Sequence, residues 1–272
     1  TAHDFGIIST GRLLDRTTRT LQTMDSLERF RGHFYNWYDT RTLQPLLPLY
    51  VSSVDSGNCA GHLRTLRAGL CELADRPFLG PSAIAGLVDA AGVLGEVATA
   101  VPTGMVGLRH DLEAATHRPP LTAAAWQQWL ARIGVTTEAI AAEVAAREGD
   151  SAHEANLWAR ALAAQAADFL AESALMGSTA SPTALPSLRE LAAEKDGHVA
   201  RERLATIERL AVQCDQLAEM EYDFLYDESR HLLAIGYNVG DVRRDASYYD
   251  LLASEARLST FVAIAQGGLP QE

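Results

Sequence analysis

Two short stretches hold most of the side chains with which this chain could do chemistry. The first, residues 35–58, sets Tyr35, Trp37, Tyr38 and Tyr50 among Asn36, Asp39, Ser52, Ser53, Asp55, Ser56 and Asn58. The second, residues 237–257, carries Tyr248, Tyr249, Asp250, Glu255 and Arg257. Aromatic faces pack on apolar C–H surfaces, and Asp and Asn side chains hydrogen-bond hydroxyls, so both mixtures suit a sugar. A carboxylate deep in a cleft can also serve as acid, base or nucleophile, a role open to Asp250 and Glu255. A plainer reading stands beside both and weighs more on the residues alone. The first stretch can be a hairpin with core aromatics, whose Asp55 and Ser56 only cap a helix. Asp250, near a helix start, is favourable there in any case.

Other chemistries find little support. The eight histidines never fall at His-x-x-x-His spacing and no Glu-plus-His motif suggests a metal. His33 and His62 read as hydrogen-bonded structural residues. Gly86, Gly92 and Gly95 fit neither a dinucleotide nor a phosphate loop, and no Gly-x-Ser-x-Gly elbow occurs. No cofactor and no metal is expected. Cys59, Cys71 and Cys214 are odd in number and lack Cys-x-x-Cys spacing, which argues against a disulfide scaffold and for small buried hydrophobes.

These stretches need elements to position them. Apolar spacing predicts helices near 7–24, 81–99, 122–147 and 151–175, and Asp25 with Glu28 reads as a capping box for a short helix through Phe30, ended by Gly32. A hairpin or extended loop is expected after Phe34, then a helix from the Asp55–Asn58 cluster to about Ala74. Trp126, Trp129, Leu130 and Ile133 form one apolar stripe, and Trp158, Leu162 and Phe169 another. Ser151 with Glu154 and Ser187 with Glu190 are capping boxes, the second opening a helix to about Met220. A loop is expected over 177–186, a second hairpin over 222–237 with its turn at Glu228–Arg230, and a last helix from Tyr248 to Ala265. Long helices in succession without strand–helix alternation point to an all-α toroid rather than a parallel α/β fold.

The chain has 272 residues, 47% of them hydrophobic, and a net charge of −12. An acidic surface disfavours nucleic acid and anionic lipid, while a neutral sugar is compatible with it. No apolar run approaches the ~20 residues of a membrane span. The opening residues from Thr1 read as mid-chain sequence, so a fragment is expected.

Several runs resemble a known family. They are Leu27-Glu28-Arg29-Phe30-Arg31-Gly32-His33-Phe34-Tyr35-Asn36-Trp37-Tyr38-Asp39-Thr40, then Tyr50-Val51-Ser52-Ser53-Val54-Asp55-Ser56-Gly57-Asn58, and Tyr248-Tyr249-Asp250-Leu251-Leu252-Ala253-Ser254-Glu255-Ala256-Arg257-Leu258, with Tyr222 to Asp227 and Ile235 to Asn238. Together they resemble the glycoamylase-like domain of cyclic β-1,2-glucan synthases, large inner-membrane proteins of Gram-negative bacteria. The resemblance implies an all-α fold, a partial α/α six-barrel with short β-hairpins on its cleft side. It implies that residues 1–272 are the N-terminal and central part of one such domain, with a divergent insert at about 76–200. The activity implied is cyclisation of linear β-1,2-glucan by transglycosylation, beside a polymerising part that uses UDP-glucose and a phosphorylase-like part. Tyr35, Trp37, Tyr38, Asp39, Asp55, Asn58 and Tyr249 are then expected to bind β-1,2-glucan. The family's Ser-Gly-Ser-Met-Phe-Glu and Ile-Ser-Glu-Ser motifs are absent, so the catalytic carboxylates are expected beyond residue 272, with Asp250 and Glu255 as weaker candidates. The implied partners are the glucan and the synthase's other domains. The implied location is the cytoplasmic face of the inner membrane, with no direct insertion by this segment. A non-catalytic β-glucan-binding domain and a hydrolase of the same fold stay open.

Overall fold

The computed structural model describes residues 1–148, 153–176, 185–250 and 256–271. Helices dominate: α1 (Thr10–Ser26), α2 (Ser53–Leu73), α3 (Pro81–Val97), α4 (Met105–His117), α5 (Ala123–Glu148), α6 (Glu154–Ser173), α7 (Leu188–Ala193), α8 (His198–Ala218) and α9 (Ala256–Ala265). The strands are short: β1 (Arg29–Phe30), β2 (His33–Phe34), β3 (Tyr50–Ser52), β4 (Tyr226–Asp227), β5 (Leu232–Leu233), β6 (Gly236–Asn238) and β7 (Arg243–Arg244). The fold is mostly α with short hairpins, as the helical periodicity and lack of alternation predict. The chain divides into two compact units, Thr1–Arg16 with Leu73–Thr206 and Thr17–Glu72 with Ile207–Glu272.

The first unit is helical. Pro81 stands in the first turn of α3, where its missing N–H leaves no bond unmade. The stripe on α5 is core: Trp126, Trp129, Leu130 and Ile133 are buried, the two indoles edge to face at 5.5 Å. Leu162, Ala166 and Phe169 of α6 and Ile84, Leu87 and Leu94 of α3 are buried as well, each large side chain contributing roughly 2 kcal/mol. Gly86 lets the N-terminal segment close on α3, since a Cβ there would sit 2.1 Å from the Gly6 carbonyl oxygen. That carbonyl accepts 2.7 Å from buried Gln165 Nε2. The Ser187 box forms as expected: Ser187 Oγ accepts from Glu190 N, and Glu190 Oε2 accepts from Ser187 N at 2.8 Å.

Two expectations for this unit change. Helix α4 has no counterpart in the reading above, because its polar Arg109-His110-Asp111 and Gly107 blur the apolar stripe. The single helix expected from Ser187 to about Met220 is two. It breaks at Lys195-Asp196-Gly197, where the backbone folds so tightly that a Cβ on Gly197 would lie 2.0 Å from Leu191 O. The Ser151 cap and most of the 177–186 loop lie outside the described residues. His153 Nδ1 accepts from Ala155 N ahead of α6.

Among the described residues, the second unit carries all the strands. Asp25 closes α1 instead of opening a helix, and Arg29 to Phe34 form a hairpin, β1 pairing antiparallel with β2. Its two-residue turn, Arg31 (φ 52) and Gly32 (φ 88), is left-handed at both positions, as the twist of paired strands requires. Gly32 is needed twice over, because a Cβ there would meet Glu219 O at 2.3 Å. Strand β3 pairs with β6 and β6 with β7, all antiparallel, and β4 pairs with β5. The core gathers Leu63 and Leu70 of α2, Leu210, Cys214 and Leu217 of α8, and Val51, Tyr222 and Leu225. Cys214 is the buried hydrophobe expected of it, whereas Cys71 is exposed. Helix α9 is described only from Ala256, and residues 248–250 are not helical, Tyr248 bridging Ala234.

Candidate functional site

The candidate residues described here all belong to the second unit, and its three-stranded sheet organises them. Strand β3 runs without a loop into α2, and Ser52 is both its last residue and the helix cap, its Oγ accepting from Asp55 N at 3.2 Å. Across the sheet, Gly236 faces Ser52. The absent side chain at Gly236 leaves room for the Tyr50 ring, since a Cβ would lie 2.2 Å from the Tyr50 hydroxyl oxygen. Tyr50 thereby reaches past β6 and donates a hydrogen bond to the Asp245 carboxylate just after β7. Burial first, then this bond and the charges of Asp245 and Tyr249, hold the Tyr50 hydroxyl well above the ordinary phenol range. It stays protonated and acts as a donor. Asn36 N donates to Tyr50 O at 2.9 Å, which sets the residue before Trp37 on the same strand.

The sheet therefore brings the first stretch and the segment after β7 together. Trp37 is 51% exposed and Tyr249 39%, so both offer ring surface, and half-buried Asp245 supplies a carboxylate. Asp55, in the first turn of α2, is exposed, and Asn58 one turn on is half-buried. The buried Asn36 Oδ1 has no hydrogen-bond partner among the described residues.

Other predicted residues have work inside the fold. Tyr35 is 7% exposed, and burial raises its hydroxyl pKa. Tyr38 Oη accepts from Tyr35 N at 2.9 Å and donates to Glu28 O at 2.7 Å, tying the hairpin to the end of α1. Asp39 Oδ1 accepts from Arg41 N and Thr42 N, both at 2.8 Å, and these bonds lower its pKa. Asp250 is exposed and outside any helix, while Glu255 lies outside the described residues. Two hollows of this unit are lined by other residues: one of about 940 Å³ by Arg31, Arg64, Glu219, Phe261 and Gln266 among others, and one of about 390 Å³ by Asp223, Tyr226, His231 and Leu269 among others.

Two polar clusters lie outside the predicted sugar-binding residues. His33 is wholly buried, with Nδ1 2.8 Å from Ser56 Oγ and Nε2 2.6 Å from Glu221 O. Tyr222 and Phe224 meet its ring edge to face. Burial lowers its pKa to about 4, so the neutral ring donates from Nε2 and accepts at Nδ1. The second cluster centres on Asp227, which accepts from Tyr248 Oη and from Ser229 N and Oγ, with Arg244 Nη2 3.6 Å away. The Tyr248 bond first, then those of Ser229, hold its carboxyl far below the usual range. Arg230 lies over the Tyr248 ring at 4.9 Å. The sole sequence signal for this cluster is the Asp at the end of Tyr222–Asp227 with Ser229 two residues on, an ordinary turn pattern.

Among the described residues no group of three or more His, Cys, Asp or Glu could hold a metal ion, and no helix is long and apolar enough to cross a membrane. No protein-family model matches the chain. Along its whole length it is 33% identical, over 288 aligned residues, to the cyclic beta-(1,2)-glucan synthase NdvB of Rhizobium meliloti (strain 1021), of which it spans 9%. The chain is thus related, end to end, to a segment of a cyclic β-1,2-glucan synthase.

Proposed function

We propose that this chain works within the carbohydrate machinery of a cyclic β-1,2-glucan synthase, and that the surface of Trp37, Tyr50, Asp245 and Tyr249 holds glucosyl units of β-1,2-glucan. The observation that carries the role is the 33% identity along the whole chain to NdvB. The surface is supported by its chemistry: exposed rings for the apolar sugar faces, and the Asp245 carboxylate, held in place by the Tyr50 hydroxyl, to accept from sugar hydroxyls. Asp55 and Asn58, at the start of α2, extend it.

In this reading the chain is part of a glycoamylase-like α/α toroid that closes linear glucan into rings by transglycosylation. A retaining mechanism needs a nucleophile and an acid/base about 5 Å apart. We place that pair in another stretch of the synthase and give the residues here the task of holding substrate. The unit would act at the cytoplasmic face of the inner membrane, with the synthase's other domains as its partners.

The test uses a whole synthase carrying this chain. Trp37→Ala and Tyr249→Ala are expected to lower the ratio of cyclic to linear β-1,2-glucan at least tenfold while polymerisation from UDP-glucose continues. Unchanged ring closure and unchanged binding of linear glucan in both variants would overturn the assignment. A non-catalytic glucan-holding domain is the second reading, favoured by the use of the polar atoms of Tyr38 and Asp39 inside the hairpin. It predicts lost glucan binding with ring closure intact.

A further inference from the structure

The hollow of about 940 Å³ in the second unit shares no lining residue with the surface of Trp37, Tyr50, Asp245 and Tyr249, and its size is that of a ligand site. Arg64 and Thr65 of α2 and Phe261 of α9 line it, with Arg31, Glu219 and Gln266 on other walls. Phe261 is 69% exposed, whereas Val262 and Ala263 beside it are buried, so its ring stands uncovered. Donors and acceptors surround that ring. Arg64 Nη1 donates to Asp215 Oδ1 at 2.9 Å, which orients a guanidinium whose five N–H donors exceed that one acceptor. Gln266 Nε2 donates to Ala218 O at 3.2 Å, which fixes its amide. Glu219 is exposed and forms no ion pair among the described residues.

The hollow of about 390 Å³ adjoins this one. Gly268 lines both, and the Arg31–Asp223 ion pair, at 3.0 Å, links a wall of the first to a wall of the second. Tyr226, half-buried with its hydroxyl 3.2 Å from His231 Nδ1, gives the second hollow a ring of its own. Successive rings among polar side chains suit a chain of repeating units better than a compact molecule. The two linings set Arg31 and Arg64 against Glu219, Glu221, Asp223 and Glu228, an acidic excess that disfavours a polyanion.

We propose that these adjoining hollows form a second groove for a neutral oligosaccharide, a linear segment of β-1,2-glucan. Phe261 packs on an apolar sugar face, while Arg64, Glu219 and Gln266 bond the hydroxyls. The choice of glucan rests on the reading that this chain handles β-1,2-glucan. The groove rests on its own lining.

Calorimetric titration of the full 272-residue chain with linear β-1,2-glucan tests it. A Trp37→Ala/Tyr249→Ala chain, which lacks the rings of the first surface, is expected still to bind glucan through the groove. Adding Phe261→Ala is expected to weaken that remaining binding roughly tenfold, the worth of one ring contact. Adding Glu219→Ala instead is expected to weaken it roughly threefold, through a lost hydrogen bond. All four altered side chains are exposed, so the core of the fold is untouched. Loss of all binding in the Trp37→Ala/Tyr249→Ala chain would overturn the groove and leave the first surface standing. Binding in that chain that neither Phe261→Ala nor Glu219→Ala alters would overturn the groove as well. An unaltered chain that binds no glucan would overturn both assignments.

Discussion

His33 ties the β1–β2 hairpin to the rest of its unit through a ring that must stay neutral. Its pKa falls from 6.5 to about 4 in the fold because burial penalises the charged ring. Between those values the unfolded chain takes up a proton that the folded chain refuses, so stability is full above pH 6.5 and declines as pH falls toward 4. The loss is about 3 kcal/mol across that window. Denaturant midpoints measured from pH 7.5 to 4 are expected to show it. His33→Gln, whatever its effect at pH 7, is expected to flatten that slope, and an equally steep slope in the variant would refute the assignment. The sequence placed His33 as a structural, hydrogen-bonded histidine, and it is one. The sequence could not place Asp245. Its partner Tyr50 stands 195 residues earlier, and only the register of β3 on β6 and β7 brings them together.

At the scale of elements, two glycines decide how closely neighbours approach. A Cβ on Gly57 would fall 1.9 Å from Ser259 Oγ and 2.3 Å from Ser259 Cα, so α2 and α9 touch backbone to backbone there. Gly57→Ala has no flexible side chain to push aside and is expected to destabilise the unit by roughly 1–3 kcal/mol, read as a lowered thermal midpoint. Gly236→Ala is expected to act on the site instead. It drives the Tyr50 ring off β6, breaks the Tyr50–Asp245 bond, and brings the phenol pKa down toward its ordinary value, observable by ultraviolet titration. In the first unit, Ser187→Ala removes one half of a capping box and is expected to cost about 1 kcal/mol. That box, the stripe of α5 and the hairpin over Tyr226 to Leu233 were legible because local residues determine them. The Asp25–Glu28 pair misled because it has a capping box's spacing, yet β1 pairing with β2 outweighs it. Gly32 was read as a helix stop because a left-handed glycine serves both a helix end and a two-residue hairpin turn.

At the scale of the molecule, the charge of −12 sets what approaches it. A neutral glucan meets no long-range attraction, so its affinity is expected to change less than twofold between 50 and 500 mM salt, and a steep salt dependence would point to a charged ligand. Helical succession without strand–helix alternation correctly announced a mostly α chain. Its division into two units was not legible, because each unit is assembled from two separated stretches of sequence.

The junction at Ser52 and Ser53 has a practical consequence for engineering. The strand that carries Tyr50 becomes helix α2 with no residue to spare, and Ser52 already serves both elements. An inserted or deleted residue there would rotate Tyr50 to the opposite side of the sheet, because alternate strand residues face opposite ways. Length variation meant to retune the proposed sugar surface is better placed at Thr40–Thr42, where the chain lies exposed at the tip of a turn.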